Sequence, residues 1–187
     1  MPSSGPNSPG TAANDAAVGT LAWTSPDNCK TSNNTYTQCF GTSGTQFSNY
    51  LKATNFGFSI PGGATIDGIL VEIERYASHN SASLFAYDEV VKLVKNGTVV
   101  GTNLGVLVTK WATGEAVFSY GGSSELWGTS WADSDINNTN FGVVLQVEIN
   151  NGAKVNIYAY VDHIKITVYY TGGGGSSSAI ATLIAGD

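Results

Sequence analysis

The residues in this 187-residue chain whose types and spacing suit chemistry point to binding more than to turnover. Four aromatic side chains, Trp111, Tyr120, Trp127 and Trp131, fall within a short stretch that runs into a loop carrying Asn and Asp. Aromatic faces stack on the apolar side of a pyranose ring, and nearby amides and carboxylates hold its hydroxyls, so these four form a candidate glycan platform. The competing use of the same residues is to plug the ends of a packed body. Asp133, Asp135 and Asn137 alternate like the opening of a calcium loop. However, Asn138 stands where such a loop needs its glycine, and Val144 where it needs its final glutamate. Turn-forming side chains are the default reading of that triplet, so no metal is expected and these three remain only residual candidates.

Cys29 and Cys39 flank the polar run KTSNNTYTQ. A disulfide there would close a loop of about ten residues and be worth about 2–3 kcal/mol; the alternative is a pair of buried thiols. Zinc would need four ligands, and nothing in the sequence brings His79 or His163 to this pair. Catalysis has little to draw on. The chain has two histidines, no Gly-x-Ser-x-Gly, no His-Glu-x-x-His and no phosphate-cradling glycine loop. Glu72 and Glu74 would share a strand face, as a two-carboxylate hydrolase requires, but exposed strand carboxylates ordinarily solubilise, and His163 beside Asp162 reads the same way. The expectation is a protein without enzymatic activity and without a cofactor.

Charge and composition exclude further classes. The net charge is −6 and the eight Lys and Arg are scattered, so no basic patch exists to neutralise phosphates and nucleic acid is not an expected partner. No apolar run approaches the ~20 residues of a membrane span. The opening MPSSGPNSPGTAANDAA lacks the basic and apolar regions of a secretory signal. Charged residues are 12% of the chain, about half the roughly 25% usual for soluble domains. Ser, Thr, Asn and Gly must therefore carry the polar surface, a composition common where proteins pack against neighbours.

The elements that must position these residues are strands. Ile69, Val71 and Ile73 alternate with Leu70, Glu72 and Glu74. Phe141, Val143, Leu145, Val147 and Ile149 share one face opposite Val144, Gln146 and Glu148, and Ile164, Ile166 and Val168 alternate with His163, Lys165 and Thr167. Each pattern has the period of two that marks a strand with one buried face. Asn96-Gly97 predicts a hairpin between Tyr87–Lys95 and Thr98–Val100, and Asn151-Gly152 predicts another leading into Val155–Tyr160. Pro61-Gly62-Gly63 marks a turn, and Ala132–Ile136 is the one plausible helical turn, with Ser130 as its cap. The fold class expected is all-β: an antiparallel two-sheet sandwich, jelly-roll-like, with extended N- and C-terminal arms; a closed barrel is the runner-up. The expected division is an arm over 1–19, a body over 20–171, and a linker with an apolar peptide over 172–187.

One string of motifs carries a resemblance. It begins with Phe56-Gly57-Phe58-Ser59-Ile60-Pro61 and Ala64-Thr65-Ile66-Asp67-Gly68-Ile69, and continues through Val71-Glu72-Ile73-Glu74-Arg75 and Val91-Lys92-Leu93-Val94-Lys95-Asn96-Gly97. Tyr120-Gly121-Gly122, Leu126-Trp127-Gly128-Thr129-Ser130-Trp131, Asp135-Ile136-Asn137 and Asn140-Phe141-Gly142-Val143 follow, and Val161 to Tyr170 closes it. Over roughly residues 50 to 171 this resembles a β-sandwich domain that recurs in structural proteins of tailed bacteriophages and in some bacterial surface proteins. The resemblance implies a virion structural role, as capsid decoration or a neck, tail or fibre component made in a host cytoplasm. It brings no catalytic or ligand-binding residues with it.

The C-terminal segment supplies an assembly device for that role. Gly172–Gly175 and Ser176–Ser178 tether a short apolar peptide containing Ile180, Leu183 and Ile184. Burying those three side chains would yield on the order of 5–9 kcal/mol, against about 9–18 kcal/mol of backbone entropy for nine residues. Backbone hydrogen bonds gained by adding a strand to a neighbour's sheet edge would close the gap. The expected partners are copies of the same chain and other virion or filament proteins. Two alternatives from other classes stand beside this: a carbohydrate-binding adhesion module, with glycan as the partner, and an extracellular filament subunit that polymerises by C-terminal strand exchange.

Overall fold

Eleven strands pair antiparallel into two sheets, the longest of them alternating buried and outward side chains, in a computed structural model that describes residues 2–174. The docking residues expected at Ile180, Leu183 and Ile184 lie outside the described residues. The first sheet runs in the order β1 (Ser3–Asn7), β11 (Ile157–Gly172), β6 (Ala64–Ala77), β9 (Ala116–Gly121), and β3 (Thr37–Gly41) also pairs with β11. β1 takes the Ile166–Tyr169 half of β11 and β3 takes the Ile157–Val161 half. The second sheet runs β2 (Thr11–Asp15), β5 (Tyr50–Thr54), β10 (Gly142–Asn151), β7 (Leu84–Lys95), β8 (Thr98–Val100), with β4 (Gly44–Phe47) on β10. β5 and β10 approach so closely that a Cβ on Gly142 would sit 1.9 Å from the Ala53 carbonyl oxygen, which is why that strand opens on glycine.

The sandwich expected from the alternation is the one observed. Ile69, Val71 and Ile73 from β6 meet Val143, Leu145, Val147 and Ile149 from β10 and Ile164, Ile166 and Val168 from β11 in one core, all fully buried. Among the register shifts between strands, two each aim an acidic side chain. In β7 the register shifts opposite Gln146 and Val147, so that Val91 and Asp88, rather than Val91 and Glu89, face the core. In β11 it shifts between Val161 and His163, leaving Asp162 and His163 on the same outer face. An extra residue in one strand does this by reversing the side-chain phase beyond it.

The Asn96-Gly97 hairpin forms as expected between β7 and β8, with both residues at positive φ, and Pro61–Gly63 is a turn closed by the Ala64 N–H on the Pro61 oxygen at 3.1 Å. Three expectations change. Residues 1–19 are not an arm apart from the body: β1 and β2 are edge strands, one in each sheet, so this segment joins the two layers. Asn151-Gly152 does not close a hairpin, because β10 and β11 belong to different sheets and the turn carries the chain across the core. The short helix α1 (Asp133–Ile136) starts on Ala132, not Ser130, and the Asp135 carboxylate accepts the Ala132 N–H at 2.9 Å.

Candidate functional site

The proposed glycan platform does not exist as a surface. Trp111 and Trp127 are fully buried, and Tyr120 and Trp131 nearly so. Their polar atoms are satisfied from within, as buried indoles and phenols require. Trp127 Nε1 donates to the Ile69 oxygen at 2.9 Å, and Trp131 Nε1 to the Leu126 oxygen at 3.0 Å. Trp111 Nε1 donates to Asp88 at 2.7 Å, and the Tyr120 hydroxyl donates to the same carboxylate at 2.9 Å. Asp88 also accepts from Arg75 Nη2 at 3.1 Å and from the Val106 N–H at 3.2 Å. Arg75 is itself buried, with its guanidinium 3.8 Å from the Phe118 ring centroid and 4.3 Å from that of Trp111. The aromatic residues of this stretch therefore build a polar network between the sheets.

The acidic triplet is likewise committed to holding loops. Asp133 accepts the Gly63 N–H at 3.0 Å, Asp135 pairs with Lys95 at 2.8 Å, and Asn137 exchanges two hydrogen bonds with the Ile60 backbone. Each side chain has a different partner, so the three do not converge as cation ligands. Of the two readings of Cys29 and Cys39 the possible disulfide is not formed: both thiols are free and fully buried. Cys29 ends the 3-10 turn Pro26–Cys29, and Cys39 points inward from β3; both act as small apolar core residues. Burial pushes the Cys29 thiol up to about 12 and raises that of Cys39 as well. Since the thiolate is the reactive form, neither cysteine should react with a thiol reagent at neutral pH until denaturant is added, when both should. A thiol titration with and without denaturant checks this, and reaction of either cysteine in the native protein would contradict it.

The exposed chemistry lies on the outer face of the first sheet. Phe40 on β3, Tyr158 and Tyr160 on β11, Tyr76 on β6 and Tyr36 just before β3 form one continuous aromatic row. The Tyr158 and Tyr160 ring centroids are 5.7 Å apart, and Tyr160 and Tyr76 are 4.6 Å apart, all nearly parallel. Tyr36 crosses Tyr76 and Tyr160 edge-on at 5.1 and 5.6 Å, and Phe40 flanks Tyr158 at 5.2 Å. The strand registers produce this row: Tyr158 pairs with Phe40 and Tyr160 with Tyr76, and directly paired side chains on one face come into contact. The tyrosines are half-buried, and Phe40 remains 42% exposed.

Polar groups rim the row. The Tyr36 hydroxyl lies 3.4 Å from Glu115 Oε2 and from Asn34 Oδ1. Glu74, Glu115 and Asp162 each place a carboxylate oxygen within 4.8 Å of the others. Asp162 is held by the backbone N–H groups of Asn33 and Asn34, at 3.0 and 3.1 Å. His163 meets the Ser8 hydroxyl at 2.8 Å, and burial, then Lys165, lowers its basicity. Glu72 pairs with Lys165 at 3.6 Å and so does not form a free two-carboxylate pair with Glu74. No pocket is enclosed among the described residues, so this is an open face. The sequence did hold a signal for it: Tyr158 and Tyr160 alternate with Ala159 and Val161, which puts aromatic residues on the polar side of an amphipathic strand.

No protein-family model matches the chain, and no curated protein does either. Among solved structures the chain is similar to one described as "CBM4 structure and function", with 9% identity and a TM-score of 0.37, covering 83% of this chain and 91% of that one. It is also similar to the N-terminal cellulose-binding domain of Cellulomonas fimi β-1,4-glucanase C, with 11% identity and a TM-score of 0.28, covering 88% of each. Likenesses this remote carry no argument about what the chain binds; what stands on its own is an antiparallel β-sandwich with an aromatic row across one outer face.

Proposed function

We propose that this protein is a non-catalytic carbohydrate-binding module that holds a neutral polysaccharide along the row Tyr36, Tyr76, Tyr160, Tyr158 and Phe40. The row itself is the observation that carries the reading. Tyrosine offers a large, rigid, amphipathic surface at low entropic cost, and the phenol hydroxyls, Asn34 and Glu115 supply hydrogen-bond partners at its edge. An open sheet face suits an extended chain better than a small molecule, which is ordinarily held in a concave pocket. The net charge of −6 would repel uronate or sulfated glycans, so a neutral chain is favoured.

The test is a titration of the protein with soluble neutral glucans, xylans and mannans, comparing wild type with the double variant Tyr76→Ala/Tyr160→Ala. Wild type is expected to bind at least one of them. The double variant is expected to bind at least about tenfold more weakly, a loss of about 1.4 kcal/mol. Tyr160→Phe, which keeps the ring, should retain most of the affinity and controls for loss of fold. Wild type binding none of these polymers, or the double variant binding as tightly as wild type, would refute the reading. The same face also fits the assembly role, because Phe40 and Val117 are exposed apolar residues on it, and tyrosine and phenylalanine are enriched in protein interfaces. Self-association that depends on concentration and is lost in the double variant, without glycan binding, would favour that second reading.

A further inference from the structure

The carboxylate group at the end of the tyrosine row has a different chemistry from the row itself. Glu74 extends outward from β6, Glu115 directly precedes β9, and Asp162 is the bulged residue of β11. Three separate elements thus bring one carboxylate each to a single place, with oxygens within 4.8 Å of one another. None of the three is in an ion pair among the described residues. Lys165, on the same face of β11, is paired with Glu72.

The second observation is an unmet valence. Asp162 is only 1% exposed, its Oδ2 takes both backbone N–H groups of the 33–34 turn, and its Oδ1 has no partner. Glu115 Oε1 is also without one. A buried carboxylate oxygen left bare costs several kcal/mol unless something satisfies it.

We propose that Glu74, Glu115 and Asp162 form a calcium site that pins the 30–36 loop, and with it Tyr36, against the bulge of β11. Oxygen-only ligation, with neither His nor Cys in the cluster, selects a hard cation. Calcium accepts irregular carboxylate sets at about 2.3–2.6 Å, whereas magnesium demands a near-octahedral shell at about 2.0–2.1 Å and keeps its waters. The site does not depend on glycan binding: the charge, the geometry and the bare oxygens would call for a cation whatever the tyrosines hold.

Terbium is the probe, because it takes the same oxygen ligands as calcium and luminesces when a nearby excited tyrosine transfers energy to it; Tyr36 lies beside Glu115. With the full-length chain, tyrosine excitation should give saturable terbium luminescence that calcium displaces and equimolar magnesium does not. Glu115→Gln and Glu74→Gln should each weaken terbium binding by tenfold or more. In EDTA, Glu115→Gln should melt at or above the wild-type temperature, since it relieves repulsion, which separates a lost ligand from a lost fold. Absence of saturable luminescence, unchanged affinity in both variants, failure of calcium to displace terbium, or equal displacement by magnesium would each overturn the assignment.

Discussion

Replacing Asp88 with alanine is expected to lower stability by about 3–5 kcal/mol, the usual cost of removing one partner of a buried ion pair. For a domain of this size that is a drop in melting temperature of about 6–20 °C, at roughly 2–4 °C per kcal/mol. The size of the effect follows from what the carboxylate holds. Arg75, Trp111, Tyr120 and the Val106 N–H all donate to it, and the Tyr120 hydroxyl in turn accepts from Arg75 Nε at 3.1 Å. Arg75 is 1% exposed and Asp88 is its ion-pair partner, so without Asp88 its charge is left buried and uncompensated. Asp88→Asn separates charge from hydrogen bonding. The amide keeps one acceptor for Trp111 but not the negative charge, and it is expected to lose nearly as much as alanine. Arg75→Met should lose less than either, because the carboxylate keeps three neutral donors. Urea denaturation of the three variants measures the order. An Asp88→Asn protein within about 1 kcal/mol of wild type would show that the pair contributes packing and not charge.

The same network shows where reading the sequence stopped. Period-two patterns placed the buried faces of β6, β10 and β11 correctly, since a half-buried strand must alternate whatever it packs against. The patterns failed at the bulges, where one extra residue reverses the phase. Asp88 lies on the β7 strand with nothing in its neighbours to show that it points inward, and Asp162 looks like one more surface acid. Arg75 continues the buried parity of Val71 and Ile73, but an arginine at that parity reads as an outward residue unless its partner is already known. The aromatic row is hard to see in the sequence for a related reason. Trp111, Trp127 and Trp131 stand out by type, whereas Tyr36, Phe40, Tyr76, Tyr158 and Tyr160 come together only through pairings between strands more than eighty residues apart. Nor did local spacing show that Asn151-Gly152 would cross between sheets, because the turn chemistry is that of a hairpin and only the sheet assignment of β11 differs.

Trp127 shows how strongly its stretch belongs to the core. Its side chain is fully buried, its backbone sits at φ 59°, and its ring lies over β6, with Nε1 on the Ile69 oxygen. Glycines let the chain close around it: a Cβ on Gly101 would lie 2.3 Å from the Trp127 oxygen, and one on Gly121 would lie 2.8 Å from Nε1. Trp127→Ala is expected to cost about 3–5 kcal/mol through lost transfer energy and the cavity left behind. Trp127→Phe should cost clearly less, because it fills much of the volume and the Ile69 oxygen keeps its bond from the Gly122 N–H. Near-ultraviolet circular dichroism and urea denaturation would read both effects. The sign of the result also decides between the two aromatic groups. A Trp127→Ala protein that kept wild-type stability and lost glycan binding would return the binding site to the 111–131 stretch. A large loss of stability, with glycan affinity intact in the surviving folded fraction of Trp127→Phe, would leave the tyrosine row as the binding surface and the tryptophans as the packing beneath the sheet that presents it.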